Sequence, residues 1–439
     1  MEGNGNGTTS AVLLGLSDFV VVSAGLVGGE VELLVETTAT ATGCPRCGVL
    51  ARPHGRRPVL VRDLPMCGRP TLLVWSKRVW RCMEPLCRQR TWSEHHRQIR
   101  PRATLTVRAQ LWAMRRVGQH GETVVSVARQ LAVGWHTVMR AVREHGEPLV
   151  DDPARLDDVH GLGVDEHVWQ HAGRRRRTGF ATGITDLTPG RPPRLLDVVP
   201  GRTGKVYADW LRERDDQWRA AVTFAALDPF RGYATALATA LPDAVRVLDA
   251  FHCVKLANQV VDEVRRRVQQ DTLGHRGHKH DPLYQVRRLL RRGAEHLTDV
   301  QRRRLATALA VGDPDGEVAM AWQCAQRLRS VYHAPNPAEG RRRAGKVLDS
   351  FPSCPIPELA RLGRTLRSWR AEFLAYFDTG GASNGPTEAI NLQIEKIRRT
   401  AHGFRNFRNY RLRLLLYSGI VWHTPRTAQI RTRRPRLVA

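Results

Sequence analysis

The chain has no apolar run approaching the roughly eighteen residues that a membrane-spanning helix requires, so no spanning segment and no membrane partner are expected. No Lys or Arg precedes Arg46, so the apolar stretch near Val20–Val27 lacks the basic flank of a signal peptide. A cytoplasmic location follows as the expectation. Acidic residues are also scarce: 42 Asp and Glu stand against 69 Lys and Arg, a net charge of +27. From Lys396 to Ala439 there is none, while Lys396, Arg398, Arg399, Arg405, Arg408, Arg411, Arg413 and Arg426 crowd the same stretch. A field of this sign attracts polyanions, and nucleic acid is the expected partner.

What is present is a soluble globular composition, 42% apolar and 25% charged. With 439 residues the chain exceeds what one core usually serves, and about two to four domains are expected. Residues 1–10 have a disordered composition. Phe19–Ser23 and Glu30–Glu36 read as strands around Gly28-Gly29 and lead into a cysteine cluster. The pattern turns helical after Pro101 and stays so to about Pro148. A strand-rich segment follows from Val159 to Leu248, then a basic helical stretch over 254–382. The chain closes on a helix carrying Glu388 and a basic tail.

Five of the eight cysteines fall between residues 44 and 87. Cys44-Pro-Arg-Cys47-Gly48 is a tight knuckle that turns two thiolates to one side, and Cys82 and Cys87 form a second pair. Together they make a tetrahedral S4 site for structural Zn²⁺, with Cys67 as an alternative ligand. A disulfide is disfavoured in a cytoplasmic chain. Cys253, Cys324 and Cys354 read as buried small hydrophobes.

Thr123–Leu131 is a short amphipathic helix, Ala132-Val133-Gly134 a turn, and Trp135–His145 a second helix. Val127, Leu131, Val138, Met139 and Val142 form the inner face, leaving Trp135, His136, Arg140 and Arg143 outward. The spacing fits a helix-turn-helix whose second helix enters the major groove, and a plain helical hairpin would share it.

Further on, Gly161-Leu-Gly-Val-Asp165 is an apolar strand ending in an acid. Thr178–Thr185 and Arg194–Val199 read as the next strands, the first reached through the basic turn Arg174–Arg177. After a helix over Lys205–Arg212, the strand Ala221–Leu227 ends in Asp228. A helix from Gly232 to Leu241 and a strand over Ala244–Leu248 complete the set. Three strands, a helix, a strand, a helix and a strand form the ribonuclease-H-like α/β layout, with acids on the adjacent first and fourth strands. Two such carboxylates cannot both sit ionised and dry without a cation. A pair of Mg²⁺ about 3.5–4 Å apart would take them together with a third carboxylate. Glu388 supplies it, just inside the helix that starts at Gly385-Pro386. On that helix Glu388, Leu392, Glu395 and Arg399 share one face and Ile390, Ile394 and Ile397 the other, so the Ile face packs and Glu388 reaches the metals. A single strand-end Asp is more often a cap or turn residue, and Asp157, Asp158, Glu166 and Asp249 are local rivals. The joint pattern carries the reading.

At these residues the chain resembles bacterial insertion-sequence transposases of the ISL-three family, from Cys44 to about Leu416. The specific parts are the Cys44–Cys47 knuckle, Val164-Asp165-Glu166, Leu227-Asp228, Asp249-Ala-Phe-His252, and Ser383-Asn384 through Glu388 and Asn391 to Arg398-Arg399 and Gly403-Phe404. The resemblance implies a DDE transposase that binds terminal inverted repeats and target DNA and performs strand cleavage and transfer. It implies Asp165, Asp228 and Glu388 as a triad holding two Mg²⁺ or Mn²⁺. His252 is placed near the scissile phosphate, with packing beneath the following helix as the competing reading. The DNA contacts are expected from Trp135, His136, Arg140, Arg143, Arg398 and Arg399, in a nucleoid-associated homodimer or larger assembly. The expected fold is multidomain α/β. An N-terminal stretch with two strands (1–43), a zinc-binding module (44–95) and a helix-turn-helix (96–150) precede a ribonuclease-H-like domain over 155–253. An all-α insertion (254–382) separates that from its last part (383–425), and 426–439 is a basic tail. The alternative is a non-catalytic zinc and helix-turn-helix DNA-binding regulator.

Overall fold

The structure is a computed structural model that describes residues 15–16, 18–173 and 177–422. The expected disordered start, Arg174–Arg176 of the basic turn and the tail over 426–439 lie outside the described residues. By their contacts the residues form two units. The first is Met1–Asp152 with Arg399–His402 and Arg408–Ala439; the second is Pro153–Arg398 with Gly403–Phe407. No described helix is long and apolar enough to cross a membrane.

The first unit opens on a sheet of β1 (Phe19–Val27), β2 (Glu30–Thr37), β3 (Arg52–Met66), β4 (Arg69–Arg81) and β5 (Thr91–Ser93). Its order is β1-β2-β4-β3, with β5 also on β4. Along β4 burial alternates through Thr71, Leu73, Trp75 and Lys77, as a strand with one packed face requires. Phe19, Leu33, Val35, Val61, Leu73 and Trp75 form the core beneath it. The expected boundary at residue 43 therefore runs through a sheet, because β2 pairs in parallel with β4. Cys67 and Gly68 make the two-residue β3–β4 turn, with φ of 50° and 73°. Positive φ at both positions is the type I′ geometry that matches strand twist.

Three helices follow: α1 (Val107–Gly118), α2 (Val124–Gln130) and α3 (Trp135–Val150). The hydroxyls of Thr106 and Thr123 cap the first two by accepting from Ala109 and Ser126 amides. Val127, Leu131, Val138, Met139 and Val142 are all buried.

The second unit holds β6 (Gly161–Gln170), β7 (Gly179–Asp186), β8 (Arg194–Pro200), α4 (Gly204–Arg212), α5 (Asp216–Ala221), β9 (Phe224–Leu227), α6 (Arg231–Ala240) and β10 (Val245–Leu248). The sheet order is β10-β9-β6-β7-β8. β6, β7 and β8 are antiparallel, while β9 runs parallel to β6 and β10 parallel to β9. Of these elements only the short α5 was not expected. Then come α7 (Ala250–Leu273), α8 (Pro282–Gln285), α9 (Asp299–Gly312), α10 (Glu317–Tyr332), α11 (Pro337–Ser350), α12 (Pro357–Ser368), α13 (Arg370–Asp378) and α14 (Gly385–Thr400). Thr298 and Gln301 form a reciprocal capping box at α9. The helices are not a separate body. Val260 and Val264 of α7 and Trp369 share one core with Val164, Leu227 and Leu248 of the sheet, and Trp322 packs against it.

The last helix, α15 (Phe407–Ser418), divides between the units. From Arg408 onward it groups with the first unit. There Asn409 accepts two hydrogen bonds from Arg143, and Arg413 donates to the Glu122 carbonyl. The stretch expected as one piece over 383–425 is thus split.

Candidate functional site

Strand register sets the site. Val164 of β6 lies opposite Leu227 of β9, and Leu227 opposite Leu248 of β10. Asp165, Asp228 and Asp249, each one residue further on, therefore emerge at one level on three neighbouring strands. Asp249 was a local rival in the sequence. Here it is fully buried and caps α7 by accepting from the His252 amide at 2.9 Å.

That cap turns the His252 ring across the site. Its Nδ1 lies 2.9 Å from Asp249 Oδ2, its Nε2 2.8 Å from Asp228 Oδ2, and the same Nε2 3.9 Å from Glu388 Oε1. Burial alone would lower the imidazole pKa. The hydrogen bonds with Asp228 and Asp249 outweigh it and raise the pKa to about 10, so the ring is a cation at neutral pH. Ligand atoms of Asp228, Asp249 and His252 lie close enough together to hold a metal. We read them instead as an imidazolium between two carboxylates, because both contacts have hydrogen-bond length. The remaining Asp249 oxygen accepts from the Asn384 amide at 2.8 Å.

Asn384 is the residue whose function the sequence did not disclose, although it lies within the quoted Ser383-Asn384 motif. It is fully buried. Its amide fixes Asp249, and its side-chain Nδ2 donates to the Val164 carbonyl at 3.1 Å and lies 3.4 Å from Asp228 Oδ1. One residue thus ties the start of α14 to all three acidic strands. The helix can come this close because residue 163 is glycine. A Cβ there would lie 2.2 Å from Thr387 Oγ1 and 2.7 Å from Asn384 Oδ1. Ile390, Ile394 and Ile397 are buried, as the helical phase requires, while Leu392 is exposed. One turn beyond Glu388, Asn391 Nδ2 donates to Asp165 Oδ2, and the Glu166 amide donates to Asp165 Oδ1 at 2.7 Å.

Asp165 registers the crowding of negative charge. Burial, then the charges of Asp228 and Glu388, push its carboxyl up to about 7. Hard carboxylate oxygens crowded in this way form a donor set suited to Mg²⁺ or Mn²⁺, which would relieve the repulsion on Asp165.

In the first unit the sulfurs of Cys44, Cys47, Cys82 and Cys87 lie within 4.8 Å of one another. The pairs Cys44–Cys87 and Cys47–Cys82 are 3.8 and 3.5 Å apart. Four converging thiols with no disulfide are the donor set of a structural zinc site. Cys67 is not among them; it stands exposed in the β3–β4 turn.

The outward residues of the helix-turn-helix divide. Trp135, His136 and Arg140 are exposed, whereas Arg143 is half-buried and bound to Asn409. In the second unit Arg398 forms a bidentate pair with Glu395 at 2.7 Å. Arg399 is exposed.

A family model described as a transposase matches residues 162–414. A model of the zinc finger of transposases IS204, IS1001, IS1096 and IS1165 matches residues 40–87, and one of the helix-turn-helix domain of transposase family ISL3 matches 94–146. Similar curated proteins are the transposases for insertion sequence element IS1557 from two strains of Mycobacterium tuberculosis. Each is 24% identical over 304 residues, covering 64% of this chain and 65% of the relative. The chain thus spans about 65% of the length of the curated relatives it matches. Among solved structures, the Drosophila P element transposase strand transfer complex is similar at a TM-score of 0.41 and 10% identity, over 72% of this chain and 92% of that one. The first match takes in more than half of the chain, with Asp165, Asp228, His252 and Glu388 inside it, and the chain belongs to the ISL3 family of transposases.

Proposed function

We propose that the protein is a DDE transposase that binds the terminal inverted repeats of an insertion sequence and carries out metal-dependent DNA strand cleavage and strand transfer. The observation that carries this reading is the common level of Asp165 and Asp228 on adjacent strands, with Glu388 facing the same imidazole. The strand order, with three antiparallel strands followed by two parallel ones on the first, supports a ribonuclease-H-like catalytic domain.

Asp165, Asp228 and Glu388 would hold two Mg²⁺ or Mn²⁺, which supply polarisation of the attacking and leaving oxygens in an in-line phosphodiester displacement. The chain's own residues do the rest. Asp249 fixes the His252 ring, and the cationic Nε2 restrains Asp228 and presents positive charge where phosphate charge grows. Asn391 and the Glu166 amide orient the two oxygens of Asp165. Asn384 keeps Glu388 in reach of the strands. No Ser, Tyr or Cys nucleophile is required. Zn²⁺ on Cys44, Cys47, Cys82 and Cys87 would be structural. Trp135, His136 and Arg140 would read the DNA ends, and two ends imply at least a homodimer on double-stranded DNA.

The test is Mg²⁺-dependent cleavage of DNA bearing the element ends. Asp228→Asn should abolish strand cleavage and leave end binding intact. Retained cleavage removes Asp228 from the triad, and a wild-type protein that binds ends without cutting them favours a non-catalytic regulator.

A further inference from the structure

The β3–β4 hairpin carries a cationic face with no function assigned so far. In the antiparallel register Arg52 lies opposite Arg81, and Arg57 opposite Lys77. Like charges directly across a strand pair repel and destabilise it. The ion pairs of this region fall on a third facing pair: Arg56 binds Glu36, and Arg78 binds Glu36 and Glu94. Arg56 and Arg78 stand one step out of phase with Arg57 and Lys77, so strand alternation puts them on the opposite face. Arg52, Arg57 and Arg81 are exposed. Lys77, across from Arg57, is buried with its ammonium 4.9 Å from the Trp75 ring centroid.

Cations that only protect a sheet edge would need to sit on the edge strand. Here they lie on both strands, and at Val79–Arg81 β4 is flanked by β5 as well as β3. The hairpin end is held by the cysteine cluster, since Arg81 immediately precedes Cys82 and the Cys44–Cys47 knuckle leads into β3. Repulsion is thus built into a held surface, which is useful only if a polyanion relieves it.

We infer that Arg52, Arg57 and Arg81 form a phosphate-binding face for double-stranded DNA, separate from the helix-turn-helix and indifferent to base sequence. This deepens the transposase reading and rests on it. Each phosphate contact releases counterions and steepens the salt dependence of binding, by about 0.9 in log K against log salt.

The experiment measures binding of the full chain to a random-sequence duplex over a salt series. For the wild type a steep slope is expected. The triple variant Arg52→Gln, Arg57→Gln, Arg81→Gln should lose about two to three units of slope, with its zinc content unchanged. The triple Lys variant, which keeps the charge, should retain the wild-type slope. A Gln variant with the wild-type slope, or a Lys variant that loses slope equally, overturns the inference. A wild type that does not bind duplex at all would instead overturn the DNA-acting reading beneath it.

Discussion

Gly163→Ala is the smallest change that should separate the third carboxylate from the other two. The added Cβ would lie 2.2 Å from Thr387 Oγ1, 2.7 Å from Asn384 Oδ1 and 2.9 Å from Leu187 Cδ1, where ordinary contact begins at 3.4 Å. The Leu187 methyl can rotate away. The other two atoms belong to the first turn of α14 and to the residue before it, while Gly163 is held on both sides by pairing with Ala226 and Thr185. The start of α14 must therefore withdraw by about 1 Å, a misplacement that can cost on the order of 100-fold in rate. Overpacking of this kind costs about 1–3 kcal/mol of stability. The two effects are read separately, by thermal melting and by Mg²⁺-dependent cleavage below the melting range. Thr387→Ala removes the nearest clashing atom, a buried hydroxyl with no hydrogen-bond partner, so alone it should be nearly neutral. Combined with Gly163→Ala it should restore part of the lost rate. A Gly163→Ala protein that melts and cleaves like wild type would show that the close approach of α14 to β6 does not matter.

Three further outcomes follow from the same geometry. Asp165 is raised to about 7 from 3.8, so the metal-free native state holds a proton that the unfolded chain gives up. That contribution to stability is complete below the unfolded pKa and is lost as pH rises through about 7. Stabilisation by Mg²⁺ should then grow over the same window as the ion displaces the proton, and a Mg²⁺-induced melting shift flat from about pH 5 to 8 would contradict it. His252→Ala leaves the buried Asp249 without its imidazolium and should destabilise by about 3–5 kcal/mol in denaturant unfolding; a loss below about 1 kcal/mol would mean the pair is not formed. Cys47→Ser, at an exposed ligand position, should abolish bound zinc by metal analysis and make the β3–β4 region protease-sensitive; full zinc occupancy would remove Cys47 from the ligand set.

The second unit's sheet was legible because its strands hold short apolar runs; β9 and β10 stop just before Asp228 and Asp249, whereas β6 runs past Asp165 to Gln170 through its pairing with β7. The β3–β4 hairpin was not. Arg52-Pro-His-Gly-Arg-Arg-Pro58 contains the residues least compatible with strand patterning, and only pairing to Lys77–Arg81 reveals it. Helix phase put Glu388 opposite the Ile face, and Ile390, Ile394 and Ile397 are buried as that phase requires. Asn384 was not legible, because its partners lie 135 and 220 residues earlier and one of its bonds uses the backbone amide. His252 had two open readings, and its contacts join them: the ring is half-buried at the start of α7 and also faces Asp228. Arg143 looked like a groove-facing cation because nothing local says that Asn409 waits for it.

The arginines around Glu388 invite the idea that they neutralise the acids, and their contacts argue otherwise. Arg398 is occupied by Glu395, Arg408 by Glu147 and Arg411 by Asp151, while Arg413 is buried against the Glu122 carbonyl. The His252 imidazolium that faces the acids of the site has its two ring nitrogens on Asp228 and Asp249. Burial of Asp165 and the charge of Asp228, with a smaller part from Glu388, raise its pKa to about 7. A fixed arginine would have removed that repulsion permanently and left no place for a cation that must also hold phosphate. On the two-metal reading proposed above, leaving the acids under-neutralised would keep the site open to a mobile divalent ion. An Asn391→Arg variant, which places a guanidinium beside Asp165, should therefore lower the Asp165 pKa and weaken Mg²⁺-induced stabilisation, while DNA binding through the first unit persists.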